Sequence, residues 1–390
     1  MALKVARRGT IPPFIVMDVM RAANAREAEG ASVRHLEVGQ PSTPAPAAVI
    51  AAARTALESD VLGYTEALGI APLRARIARH YAETYGFDLP AERVVATTGS
   101  SGGFLLSFLA AFDEGDRVAL ADPGYPAYRN ILTALGIEAV CLPATAETRF
   151  QPTVDLLAAL DRPVDGLIVA SPSNPTGTML SRDDLAVLAA YCAEAGIRLV
   201  SDEIYHGITY GQDATTALAV SDTAIVINSF SKYYSMTGWR LGWMVVPDDM
   251  VRAVECLAQN LFISPPSLSQ HAGVAAFDCG AELDANVARY ARNREILLAE
   301  LPKAGLTRLA PADGAFYLYA DVSHLTNDSR QFCQRLLRET GIAATPGVDF
   351  DRDRGHGYVR FSFAGATEEI EAAAQGLRAW LAGAGAPAAD

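Results

Sequence analysis

Along most of the chain, short runs of branched apolar residues alternate with longer amphipathic stretches. The runs Val94–Thr97, Val118–Ala121, Leu167–Ala170, Arg198–Ser201, Ile225–Ser229 and Gly242–Val246 are too short for helices and are rich in strand-forming residues. Each is predicted to be a buried strand. Between two of them, Ser181-Arg182-Asp183-Asp184 reads as a helix start, with Leu185, Leu188, Ala189 and Cys192 at helical spacing and Gly196 as the stop. Strand–helix–strand units of this kind predict an α/β fold built on a mostly parallel sheet, covered by helices on both faces. A ligand site is then expected beyond the carboxyl ends of the strands.

The pattern changes after about residue 285. A helix is predicted through Tyr290–Leu301, an alternating segment at Phe316-Tyr317-Leu318-Tyr319 and a helix near Arg330–Glu339. A strand at Tyr358–Phe363 and a final helix opened by Thr367-Glu368-Glu369 follow. These elements predict a smaller α+β domain over residues 285–390, beside a large domain over 41–284. Residues 1–40, bounded by Pro12-Pro13 and Gln40-Pro41, are expected to be an arm that joins the smaller domain.

Composition removes several function classes. Lys and Arg total 32 against 45 Asp and Glu, a formal charge of −13, with no basic stripe to suit nucleic acid. Five cysteines, Cys141, Cys192, Cys256, Cys279 and Cys333, are widely spaced and form no C-x-x-C pair, so neither a disulfide framework nor a metal site is expected. A cytoplasmic location fits best. Lys4, Arg7 and Arg8 are followed by no apolar run of signal-peptide length, and nowhere do eighteen apolar residues run on, so no membrane span is expected. The Ala/Gly/Pro-rich stretch Ala382–Asp390 reads as a frayed tail.

The chemistry concentrates around Lys232. The segment Ser229-Phe230-Ser231-Lys232 follows a buried strand and leads through Met236-Thr237-Gly238-Trp239 to Arg240. Most lysines are harmless surface groups, but one placed just past a buried strand is partly desolvated, which makes its amine easier to deprotonate. The hydroxyls of Ser229 and Ser231 and the planar fork of Arg240 are suited to a phosphate. This run resembles the cofactor-lysine signature of the aspartate aminotransferase family, the class I/II, fold-type I pyridoxal-phosphate enzymes. Four further segments agree in order and spacing from about Gly39 to Arg360, nearly the whole chain.

The resemblance implies pyridoxal 5′-phosphate as cofactor, joined to Lys232 as a Schiff base. It implies transfer of an amino group from an amino acid to a 2-oxo acid by a ping-pong aldimine/ketimine route. Asp202, which ends an apolar run, then pairs with the pyridine nitrogen, and Tyr205 and Asn174 with the phenolic oxygen. Alone, Asp202 reads equally as an acid ending a strand, and Asn174-Pro175-Thr176-Gly177 as a turn. The resemblance places the phosphate on Ser100 and Ser101, with Gly102 for close backbone approach, at the start of an apolar helix. Tyr125 corresponds to an aromatic ring that stacks on the cofactor, against the alternative of an aromatic packed into the core. Arg360, interrupting an apolar strand, corresponds to the clamp on the substrate α-carboxylate, the alternative being a structural ion pair.

Tyr64 corresponds to a tyrosine that reaches the neighbouring subunit's phosphate, which implies a homodimer with shared active sites. Gly39-Gln40-Pro41 resembles a substrate-contacting turn, with Gln40 where many relatives carry Glu. Two other readings stay open at this level. A lyase or cyclising enzyme uses the same constellation. A transcription regulator shares the fold but needs an N-terminal DNA-binding domain, and only an arm precedes Gly39. No side-chain carboxylate clamp is legible, and Ile11, Phe14 and Ile15 of the arm suggest a pocket tolerant of neutral side chains.

Overall fold

The computed structural model describes residues 3–383. Residues 384–390, most of the stretch expected to fray, lie outside the described residues. Every strand expected from the apolar runs is present. In chain order the strands are β1 (Arg34–His35), β2 (Val94–Thr97), β3 (Arg117–Asp122), β4 (Glu138–Pro143), β5 (Gly166–Ala170) and β6 (Arg198–Asp202). They continue with β7 (Ile225–Ser229), β8 (Gly242–Val245), β9 (Tyr317–Asp321), β10 (Ile342–Ala343), β11 (Thr345–Pro346) and β12 (Tyr358–Ser362).

Seven of these form one sheet in the order β2-β8-β7-β6-β5-β3-β4. Strands β3 to β7 run parallel, and β8 pairs antiparallel with both β7 and β2, so only β8 is reversed. Side chains one residue apart point to opposite faces of such a sheet, and the sequence fills both with apolar groups. Val94, Ala96, Leu167, Val169, Leu199, Trp243 and Val245 pack in one core. Their neighbours Val95, Ile168, Val200 and Met244 pack in another on the opposite face. This is why the strands read as continuous apolar runs rather than alternating ones.

The helices are α1 (Ile15–Ala28), α2 (Ala47–Ser59), α3 (Ala71–Tyr85), α4 (Gly99–Ala111), α5 (Pro126–Leu135) and α6 (Val154–Ala158). After them come α7 (Arg182–Ala195), α8 (Val251–Leu261), α9 (Ser267–Ala276), α10 (Gly280–Lys303), α11 (Ser329–Thr340) and α12 (Thr367–Gly383). The cap foreseen for α7 forms: Ser181 Oγ accepts from Asp184 N at 3.1 Å, and Gly196 closes the helix in the left-handed region.

With the two apolar layers of this sheet taken together as the first core, a second core gathers Tyr290, Leu297 and Leu301 of α10 with Leu318, Val359, Phe361, Leu336 and Leu377. Over it lies the antiparallel sheet β11-β12-β9. The arm enters this core through Leu36, and β1 pairs in parallel with β10. Helix α10 serves both cores, because Leu283 packs in the first and Tyr290 in the second. Ile204, Tyr205 and Ile208, which follow β6, also pack in the second core, so the cleft between the two is framed by residues fixed from both sides.

Candidate active site

Sheet register brings the expected segments together. Thr97 and Ser229 both pair with Gly242 of β8, and Asp202 lies opposite Ile227 on one side and Ala170 on the other. The carboxyl ends of β2, β5, β6 and β7 and the entry to β8 therefore open at one edge of the sheet. There they deliver the start of α4, the Asn174 turn, Asp202, the Lys232 loop and Arg240.

A cavity of about 230 Å³ lies at this edge, lined by Gly39, Ser100, Ser101, Tyr125, Asn174, Asp202, Tyr205, Ser231, Lys232, Arg240 and Arg360. Three expected residues are not in its lining. Gly102 is buried one turn into α4, where a Cβ would stand 2.5 Å from Thr98 Oγ1. The Ser229 hydroxyl is turned to Ser231 Oγ at 2.9 Å and Leu241 O at 3.3 Å. Tyr64 is 86% exposed on a loop away from this cavity.

The amine of Lys232 donates to Gly39 O at 2.8 Å and stands 5.8 Å from the Tyr205 ring. Burial, reinforced by the positive charges of Arg360 and Arg240, lowers its pKa to about 8, against the opposing pull of Asp202. The Asp202 carboxylate accepts from Ile204 N at 3.1 Å and from the Tyr128 hydroxyl. Burial still lifts its pKa to about 6, so a cation at this carboxylate would be favoured. Arg360 sits between the Tyr317 and Phe350 rings, 4.3 and 4.7 Å from their centroids. It donates to Asn174 Oδ1 at 2.7 Å, to Thr345 Oγ1 at 3.2 Å and to Glu37 O, while its buried Nε has no partner. The Tyr205 hydroxyl meets Tyr317 Oη at 2.7 Å.

Tyr128 and Tyr317 lie in the cavity wall but were not expected there. Tyr128 sits three residues after Tyr125, and a helical reading from Pro126 would have placed the two rings one turn apart. Tyr317 reads only as one inward position of an alternating strand, with nothing local to show that it braces Arg360. In the arm, Phe14 lines the cavity with Val16, Met17 and Val38, whereas Ile15 faces a groove against α11 and Ile11 is exposed.

Residues 32–377 match the family model "Aminotransferase class I and II". The chain belongs to that family. It is 53% identical over 382 residues to the valine–pyruvate aminotransferase of Mycobacterium tuberculosis, covering 97% of this chain and 98% of that one. It is 33% identical to the (5-formylfuran-3-yl)methyl phosphate transaminase of Methanocaldococcus jannaschii, covering 94% of this chain and 96% of the other. Among solved structures, an aminotransferase from Mycobacterium tuberculosis superposes with a TM-score of 0.96 at 52% identity, covering 98% of this chain and all of that one. Aspartate aminotransferase from Thermus thermophilus with maleate gives 0.91 at 28%, covering 97% of this chain and all of that one. The aminotransferase fold and enzyme class expected from the sequence are therefore both found.

Enzymes of this family generally use pyridoxal phosphate, and the residues of this aminotransferase fit it. Asp202 offers a buried carboxylate where a protonated ring nitrogen would be stabilised. Gly99, in the left-handed region at φ 70°, has no room for a Cβ, which would stand 2.4 Å from Arg240 Nη2. That closeness sets a guanidinium against the start of α4 beside Ser100, Ser101 and Ser231, a donor set suited to a phosphate. Among the described residues no acidic, His or Cys group could hold a metal, and no helix is long and apolar enough to cross a membrane.

Without cofactor, the Lys232 amine should capture an aldehyde reagent with a rate that rises through pH about 8. An exposed lysine titrates near 10. Arg360→Gln, which removes a neighbouring positive charge, should move the midpoint upward. A wild-type midpoint near 10, or no response to the substitution, would contradict the electrostatic picture.

Proposed function

We propose that this aminotransferase moves an amino group from a neutral, branched amino acid to pyruvate, with pyridoxal phosphate held through Lys232. The observation that carries the reading is that one cavity is lined by a desolvated amine, a buried carboxylate and a buried guanidinium. When bound, the cofactor supplies an aldehyde that captures the substrate amine and a ring that accepts the electron pair released at Cα.

The chain's own residues then divide the work. Arg360, packed against the Tyr317 and Phe350 rings, pairs with the substrate α-carboxylate and so fixes the Cα–H bond relative to Lys232. Asn174 holds one arm of that guanidinium in place. The Lys232 amine is placed to take the Cα proton and to give it back two atoms along, beyond the substrate nitrogen, and a pKa near 8 suits both directions at neutral pH. Asp202, braced by Tyr128, would favour a proton on the ring nitrogen. Tyr205 donates to the phenolic oxygen from a phenol kept neutral by burial. Ser100, Ser101, Ser231 and Arg240 would hold the phosphate, and Tyr125, in the same lining, would pack on the ring.

Donor class follows from counting cations. Among the described residues of the chain, Lys232, Arg240 and Arg360 are the cationic side chains in the cavity lining, and each already has a role. None of the three remains for a side-chain carboxylate, and the wall includes the apolar Phe14, Val16, Met17 and Val38. The valine–pyruvate activity named for the relative of 53% identity agrees. Its name, like that of the transaminase, speaks for transamination rather than elimination. The same reading treats residues 1–40 as an arm, 41–284 as the cofactor domain and 285–390 as the small domain, consistent with Leu36 entering the second core. It places the enzyme in the cytoplasm.

A donor panel tests the reading. Valine and pyruvate should give alanine and 3-methyl-2-oxobutanoate. Valine should exceed aspartate in kcat/KM by at least about 10²-fold, since an unpaired buried charge is costly. A preference for aspartate would overturn the donor assignment, and release of ammonia without an acceptor would favour elimination.

The exposure of Tyr64 (86%), Val61 (95%) and Ile263 (51%) supports a homodimer in which Tyr64 reaches the partner subunit's phosphate site. Sedimentation should then give a dimer, and Tyr64→Phe should retain cofactor roughly 10- to 10²-fold less tightly, in line with about 1.5–3 kcal/mol for a hydrogen bond to a charged group. A monomer with full activity would contradict this.

A further inference from the structure

Helix α1 begins without a cap of its own. Phe14 stands at the N-cap position and offers no acceptor to the first-turn amides. Those amides turn to a residue far along the chain: Ile15 N and Val16 N donate to Asp349 Oδ1 and Oδ2, each at 3.1 Å. Asp349 is buried, 3% exposed, so its carboxylate faces the helix rather than water. A charged acceptor at a helix start both satisfies open N–H groups and complements the helix dipole.

The turn that carries Asp349 is tied into the site on its other side. Asp349 O and Phe350 O accept from Arg129 of α5 at 2.5 and 3.0 Å. Phe350 supports the Arg360 guanidinium at 4.7 Å. One turn therefore anchors both the group that receives an α-carboxylate and the helix that carries Phe14, Val16 and Met17 into the cavity wall. Phe14 in turn meets Tyr125 edge-on at 5.6 Å.

We propose that Asp349 is a specificity-determining positioning residue, which by capping α1 holds Phe14, Val16 and Met17 as the wall against which a neutral branched side chain is gauged. The inference rests on the neutral-donor reading of the site. Without the carboxylate, the Ile15 and Val16 amides turn to water, the first turn frays and the wall recedes. The loss falls on donors whose side chain reaches the wall, and it spares those ending in a single methyl group.

The test compares wild type, Asp349→Ala, Asp349→Asn and Phe14→Ala as holoenzymes, with valine and alanine each followed through the donor half-reaction. Hydrogen exchange at the Ile15 and Val16 amides is measured alongside. In Asp349→Ala the valine-to-alanine ratio of kcat/KM should fall roughly 10-fold, mainly through KM for valine, the scale set by loss of apolar pocket contact. Exchange at the two amides should quicken, and Phe14→Ala should shift the ratio in the same direction. Asp349→Asn keeps one accepting oxygen and should show a smaller change in both readouts. It reports on the same role if the alanine variant folds poorly. A ratio within about twofold of wild type, or an equal loss for both donors, overturns the role of Asp349, because a pocket wall discriminates by side-chain size. A wild-type preference for aspartate instead sinks the donor reading beneath it.

Discussion

Removing an ammonium group from water is unfavourable unless charge is supplied or the proton is given up. Lys232 meets that constraint between two guanidinium groups that repel its positive form and one carboxylate that attracts it. The balance leaves an amine that changes state near neutral pH, which both nucleophilic attack on an aldehyde and reversible proton transfer require. The rest of the molecule keeps those charges at fixed separations. Parallel strands end at a common edge, so Asp202 and the Lys232 loop are set by the register of neighbouring strands rather than by flexible loops.

Burial at that edge would be costly for isolated polar groups, and the site is built of groups that satisfy one another. Tyr128 supports Asp202, Asn174 and Thr345 hold Arg360, and the Gly39 carbonyl receives the lysine. The chain carries a net charge of −13, yet its cavity holds three cations against one carboxylate. Such a local excess draws in anionic substrates and a phosphate while the acidic exterior favours solubility. Gly39 and Phe14, from the first forty residues, and Arg360, flanked in β12 by Val359 and Phe361 of the second core, complete the cavity lining.

Much of this was legible in the sequence, because the strands bury both faces and so appear as unbroken apolar runs. The expected bounds agree with the observed ones to within a residue at most ends. Strand β4 escaped notice because it lies at the sheet edge, where only Leu142 is fully buried and Cys141 is exposed. Helices α2 and α9 pack together through small residues, and alanine-rich stretches carry little periodic signal. Among site residues, those at strand ends or in turns with distinctive neighbours could be found. Tyr317 and Asp349 could not, since their roles arise only when segments remote in sequence meet. Ile15 was expected in the pocket and Val16 found there instead, a helical rotation set by how α1 docks, on Asp349 at its start and through Ala23 against Leu337 and Ala343.

The central claim is that the Lys232 amine, and no other lysine, is the group poised to bond the cofactor aldehyde. The most direct measurement is borohydride reduction of protein incubated with pyridoxal phosphate, followed by peptide mapping. The account predicts one phosphopyridoxyl group per chain, on the peptide containing Lys232. Labelling spread over Lys4 and Lys303, or absent from the Lys232 peptide, would contradict it.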